Sequence, residues 1–337
     1  MRTFLAKKAI AFPIAGALVL GAAGAGHAVG LIGSDSAAPA ATAAPDATAA
    51  PDATAAPVAA AAKAPAIVNT KFPIRAAFVY PWYSENFAGK SGGSQFDPSA
   101  GKYSMDKAST IDRQIKDMKY AGLQAGIASW WGKGKREDKR LPLMMARATK
   151  LNFSWSAYYE KEGYGNPTAK QIAADLKYLR KYSDQPAWLH VKGKPVIFVW
   201  ADGKDGCAMA SRWAKANRTA QYYVVLKVFG GYQDCAQQPQ GWHQYADGLD
   251  VQKGYSAIAS PGFFAVDKTK ADKTRSPKRF RADVTTVARS KAPFQLIISY
   301  NEWGEGTAVE SAKQWSSANG HGTYINILHQ VFRAYPR

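Results

Sequence analysis

The chain has 337 residues, 47% hydrophobic, 20% charged and 12% aromatic. That balance excludes a disordered or collagen-like chain and a membrane protein built of many spans. An excess of Lys and Arg leaves a formal charge of +19, which favours polyanionic neighbours such as acidic glycans, wall polymers or nucleic acid.

Taken in chain order, Arg2, Lys7 and Lys8 precede an apolar run over residues 9–26, and Gly26-His27-Ala28 offers a cleavage site. Residues 1–30 therefore read as an export signal. The alternative is an uncleaved anchor, because the run extends to Gly33 and is long enough to span a bilayer. Residues 31–66 are mostly Ala, Pro, Thr and Asp, with a six-residue unit repeated over 44–55. They hold few large apolar side chains and read as a semi-rigid tether. Secretion or attachment to the cell surface is the expected location, with membrane contact only if the first segment stays uncleaved.

Residues 67–337 form the remaining domain, about 270 residues, which is close to the usual length of a (β/α)8 barrel. Apolar or aromatic runs predict strands over residues 76–82, 123–130, 153–159, 195–200, 222–229, 249–255 and 294–300. An eighth is expected near 257–266 or 307–309. Helical patterns fall between them at 106–121, 139–151, 168–182, 208–216 and 279–292, with a last helix over 323–334. In the segment 168–182, Ile172, Leu176 and Leu179 share a face and Thr168 can cap the start. This alternation predicts an α/β fold, a (β/α)8 TIM barrel, with a doubly wound open sheet as the alternative.

A barrel of this kind carries its chemistry at the C-terminal ends of its strands. Those ends hold Tyr80-Pro-Trp-Tyr, Trp130-Trp-Gly, Tyr158-Tyr-Glu-Lys, Trp200-Ala-Asp, Gln252-Lys-Gly-Tyr and Ser299-Tyr-Asn-Glu-Trp-Gly-Glu-Gly-Thr-Ala-Val-Glu310. Glu302 and Glu305 are three apart after an apolar strand, where a continuing strand would turn them to opposite faces. Gly304 and Gly306 allow the chain to curl and bring both carboxylates to one volume. Glycoside hydrolysis generally needs such a pair, one to protonate the leaving oxygen and one as base or nucleophile. Tyr80, Trp82, Tyr83, Trp130 and Trp131 are candidate sugar platforms, and Glu160 and Tyr255 candidate hydroxyl partners. Cys207 and Cys235 are expected to pair in an oxidising compartment. No Cys/His spacing resembles a metal site, and no cofactor is expected. The basic run 268–281 reads as a solvated loop and helix start, or as a patch for polyanions.

The Asn301-Glu-Trp-Gly-Glu-Gly-Thr307 stretch with its following Glu310 resembles the signature of glycoside hydrolase family 99, the endo-α-1,2-mannosidases and their relatives. Phe78-Val-Tyr-Pro-Trp-Tyr83, Ala121-Gly-Leu-Gln-Ala-Gly-Ile-Ala-Ser-Trp-Trp-Gly132 and residues 176–200 resemble further pieces of that family, in chain order. The resemblance implies a (β/α)8 barrel and a retaining, metal-independent hydrolase of α-mannosidic or related α-linked bonds. It implies that Glu302 is the base for the sugar's 2-hydroxyl, forming a 1,2-anhydro intermediate, and that Glu305 is the general acid/base. Asn301 and Glu310 join the substrate-binding set by their place in the motif. Gly304 stands where the family has His, and Ala308-Val-Glu-Ser311 replaces Gln-Ile-Glu-Pro, so the pocket wall differs. The expected partner is a polysaccharide or glycan, an anionic cell-wall polymer among the candidates, with no nucleic acid and a monomeric chain. A non-hydrolytic glycan-binding or polysaccharide-processing protein on the same fold is the alternative.

Overall fold

The computed structural model describes residues 66–87, 94–265 and 270–337. The signal, the tether and residues 268 and 269 of the basic run lie outside the described residues.

Eight parallel strands build the domain: β1 (Ile74–Val79), β2 (Ala125–Trp130), β3 (Ser154–Tyr159), β4 (Lys194–Val199), β5 (Tyr223–Lys227), β6 (Gly241–His243), β7 (Ser256–Ala259) and β8 (Phe294–Ile297). Pairing runs from β6 back through β1 to β8 and β7, so the sheet curls nearly shut. No ladder joins β6 to β7, because the free edge of β7 is taken by an antiparallel strand, Asp250–Gln252. Most strand residues are apolar and buried on both faces, as a barrel wrapped in helices requires.

Six helices cover the outside: α1 (Ala108–Tyr120), α2 (Arg136–Leu151), α3 (Ala169–Ser183), α4 (Cys207–Ala220), α5 (Pro277–Arg289) and α6 (Thr323–Ala334). Thr168 caps α3 as expected, and Gln171 returns a bond to the Thr168 N–H at 2.8 Å, closing a capping box. Ser276 caps α5, with Pro277 in the first turn, where its missing N–H removes no helical bond. Among the described residues, only short 3-10 or irregular segments follow β5 and β6.

One expectation fails in this region, and one of two alternatives is settled. Residues 249–255 are not a barrel strand; the stretch pairs antiparallel on the edge of β7. The wall strand there is Gly241-Trp-His243, which is too short and too glycine-bearing to show as an apolar run. The eighth strand lies at the start of the 257–266 window, not at 307–309.

Strand alternation decides what enters the bore. Phe78, Tyr158, Phe198 and His243 point inward and meet there, with ring centres 4.7 Å apart for Phe78–Tyr158 and 5.5 Å for Phe198–His243. Phe72 lies against Phe294 at the strand starts, at 5.4 Å. The bore is thus a packed aromatic core. Two residues further along each strand, the same alternation delivers Tyr80, Glu160, Trp200 and Tyr245 to the opposite end.

Candidate active site

Glu302 and Glu305 sit in the loop that leaves β8. The loop is held from three sides. Asn301 takes the Tyr80 N–H at 2.7 Å and donates to the Tyr80 carbonyl at 3.1 Å, fastening the loop to the end of β1. Behind it, the Tyr83 hydroxyl accepts from the Trp303 N–H, and the Tyr103 hydroxyl accepts from the Trp303 indole. From the far side, Arg275 donates to the carbonyls of Gly306 and Ala308 at 2.6 and 2.7 Å, with its guanidinium 3.8 Å from the centre of the Trp315 ring. Gly306 has φ +60°, and a Cβ there would meet Phe264 at 3.0 Å, so glycine is required for the curl.

The curl puts both carboxylates in one electrostatic neighbourhood. Burial raises Glu302 well above the ordinary carboxylate range, and the charge of Glu305 raises it further. Two backbone N–H groups, one of them Gly304 at 3.1 Å from Oε1, oppose that by stabilising the Glu302 anion. Burial lifts Glu305 to about 7. Each charge disfavours the other, so the two carboxyls titrate as a coupled pair. Glu160 is the third acid. Burial pushes it up to about 8, with help from Glu305, while the Ser129 hydroxyl at 2.8 Å partly offsets the rise.

Aromatic hydroxyls ring these acids. Tyr80 and Tyr245 share a hydrogen bond at 2.6 Å, and Tyr245 stacks on Tyr158 at 5.9 Å. The charges of Glu302, Glu305 and Glu160 all bear on Tyr80 and Tyr245. Trp82 leans on Tyr80 with ring centres 4.6 Å apart. Trp131 packs on Tyr164 at 4.8 Å, and its indole donates to the Ser129 hydroxyl. Half-buried Trp131 and Trp82 are thus placed as open aromatic faces beside the acids.

Several expected site residues stand elsewhere. Trp130 is fully buried with its indole on Asp138 of α2, because alternation turns Ser129 inward and Trp130 outward. Tyr255 precedes β7, and its carbonyl accepts from the N–H of Phe294, the first residue of β8. It therefore lies at the opposite end of the barrel from Glu302, a consequence of the misplaced strand. Tyr83 and Asn301 hold the loop and are spent on backbone partners. Glu310 is buried between the Arg113 guanidinium and the Tyr103 hydroxyl, both at 2.6 Å, so it anchors the loop from behind.

Tyr245 and Arg275 escape the sequence reading, whereas Tyr158 and Trp200 stand at strand ends as expected. Tyr245 follows from alternation once β6 is known, but that strand leaves no apolar signature. Arg275 hides in the basic run, where nothing in the pattern separates a clamp from a solvated charge. Cys207 and Cys235 are bonded, tying the start of α4 to the irregular segment after β5. Among the described residues, no group of three or more His, Cys, Asp or Glu could hold a metal ion.

Comparison with known proteins bears on the fold. A model of glycosyl hydrolase family 99 matches residues 66–224, a stretch that ends before Glu302. Glycoprotein endo-alpha-1,2-mannosidases of Mus musculus and Rattus norvegicus are each 21% identical, over 278 and 276 residues, covering 67% of this chain and 59% of the relative. The chain thus spans well under two thirds of the length of those relatives. Two structures of a family 99 endo-alpha-mannosidase from Bacteroides thetaiotaomicron superpose with TM-scores of 0.67 and 0.62 at 16% identity. They cover 79% and 80% of this chain, and 98% and 100% of their own. In sequence over residues 66–224, and in fold across the described barrel, the chain is similar to glycoside hydrolase family 99.

Proposed function

We propose that the chain is a retaining glycoside hydrolase that cleaves α-mannosidic, or closely related α-linked, bonds in a polysaccharide or glycan. The observation that carries the reading is the Glu302–Glu305 pair, one buried and one half-buried, on a loop at the mouth of a barrel ringed with aromatic faces.

Glu302 is assigned as the base by its place in the motif, and two backbone N–H groups favour the anion that role needs, against burial and the Glu305 charge. It takes the proton of the sugar's 2-hydroxyl, and that oxygen closes on the anomeric carbon as a 1,2-anhydro ring. Glu305 gives its proton to the departing glycosidic oxygen as the bond to the anomeric carbon breaks. In the second half Glu305 takes a proton from water, the water oxygen opens the three-membered ring, and Glu302 returns its proton to the 2-oxygen. Two inversions leave net retention. The axial 2-hydroxyl of an α-manno sugar lies opposite the leaving group, as this attack requires. Glu160 and Tyr245 face the same space and are placed to hold sugar hydroxyls. Export and surface tethering through residues 1–66 belong to the same proposal, supported by the charged start, the apolar run and the Ala/Pro/Thr composition.

The test is hydrolysis of α-mannan and other α-linked glycans by the full chain beside Glu302→Gln and Glu305→Gln. Release of sugars by the parent, and at least about a thousandfold loss in both variants, is expected. Binding of a glycan equally by all three proteins, with no cleavage, would instead make this a glycan-binding protein.

A further inference from the structure

One cation at the mouth of the barrel makes no ion pair or hydrogen bond among the described residues. Lys227 is the last residue of β5 and registers with His243 of β6, so its side chain enters the bore on the same side as His243. Its Nζ lies 4.8 Å from the centre of the Trp200 ring. Trp200 is 5.5 Å from Tyr245, whose hydroxyl bonds Tyr80 beside the carboxylate pair. The amine is therefore two rings away from the reacting position, on the same wall.

Two cations on the elements nearby are engaged. Lys161 is paired with Asp175, and Arg212 is bonded to Glu162. Lys227 makes no ion pair or hydrogen bond among the described residues, although it is only half exposed. Asp205 and Asp202 act on it only at longer range; each also accepts a backbone N–H of its own loop, and Asp205 lies 3.8 Å from Arg212. An amine in a partly desolvated site with an indole face and two distant carboxylates keeps its capacity for a directly bonded anion.

We propose that Lys227 is a specificity residue that receives an anionic substituent, a carboxylate or a phosphate ester, on the sugar next to the one held between Glu302 and Glu305. This rests on the glycosidase reading of the site and narrows its substrate to an acidic glycan. Burial draws the Lys227 amine below its ordinary range in the empty site. A bound anion would restore the charge.

Three probes test it: neutral α-mannan, the same mannan with its primary hydroxyls oxidised to carboxylates, and a phosphomannan. Calorimetry at 150 mM salt would give Kd for the full chain, for Lys227→Gln and Lys227→Arg, and for Lys278→Gln as an exposed control. Parent and Lys278→Gln should bind one or both anionic probes at least about tenfold more tightly than the neutral one. Lys227→Arg should keep most of that preference, and Lys227→Gln should lose it. The tighter anionic probe tells carboxylate from phosphate. Absence of a preference in the parent, or a preference that survives in Lys227→Gln, overturns the assignment. Cleavage of neutral mannan, read on the same samples, separates the two proposals. Cleavage without anionic preference removes only Lys227's role, and anionic preference without any cleavage removes only the hydrolase.

Discussion

The two halves of the barrel are built differently. From β1 to α4 each strand is followed by a covering helix, and residues 66–224 match the family model. From β5 to β8 the strands shorten, two crossovers lack a long helix, the seam between β6 and β7 is unpaired, and an edge strand intrudes. Yet the irregular half carries Glu302, Glu305, Tyr245 and Lys227. The regular half supplies a stiff wall with Tyr80, Trp131 and Glu160 at its rim. The lesson is that reactive groups here sit on loops tied down by side chains, not on segments held by helical packing. Regularity makes a chain recognisable, whereas chemistry needs a backbone bent to one purpose.

Four experiments would break or sharpen that contrast. The largest effect is expected from the Cys207–Cys235 bond, which ties the last helix of the regular half to the helix-poor crossover. Cys207→Ser with Cys235→Ser should cost roughly 3–4 kcal/mol in denaturant unfolding, the chain-entropy value for a loop of this size. An unchanged midpoint would mean that the crossover is held by its packing alone.

Arg275 comes next. Arg275→Met should cost about 3 kcal/mol, since two carbonyls of the Glu loop lose charge-assisted partners. It should also lower kcat by more than tenfold with little change in glycan affinity. A variant as active as the parent would show that Asn301, Tyr83 and Tyr103 position the loop without it.

Glu160 gives a smaller, pH-dependent effect. Its folded pKa, about 8, lies above the ordinary carboxylate value of 4.5, so the folded protein keeps a proton that the unfolded chain has lost. Stability must therefore fall as pH rises from about 4.5 through about 8, and level off above. Glu160→Gln should flatten that decline and be more stable than the parent at pH 9, with no such gain at pH 4. Parallel stability curves for the two proteins would refute the assignment of this slope to Glu160.

The smallest test lies wholly in the regular half. Thr168→Ala removes the α3 cap and should cost about 1 kcal/mol, with no effect on glycan cleavage. A loss of activity would show that the two halves are coupled more tightly than the loop fastenings suggest.

Much of this molecule is legible without coordinates. The strands through β5 announce themselves because buried parallel strands are continuous apolar runs, and the α3 stripe of Ile172, Leu176 and Leu179 with its Thr168 cap is a local pattern. Glu302 and Glu305 stand out because two carboxylates around glycines after an apolar strand have few other uses. These features depend on neighbours within a few residues, so composition and spacing carry them. Only the tertiary structure decided the rest. Trp130 and Trp131 are adjacent and chemically alike, yet one is core and the other rim, according to which face of β2 each occupies. Asn301 and Glu310 belong to the recognisable motif, but their partners, Tyr80 and Arg113, lie 221 and 197 residues away. β6 is three residues long, and its place was set by the strand beside it. Lys227 is one lysine among many in the sequence. The register of β5 on β6 makes it the cation that faces the site, because side-chain direction in a barrel is a property of the sheet and not of the residue.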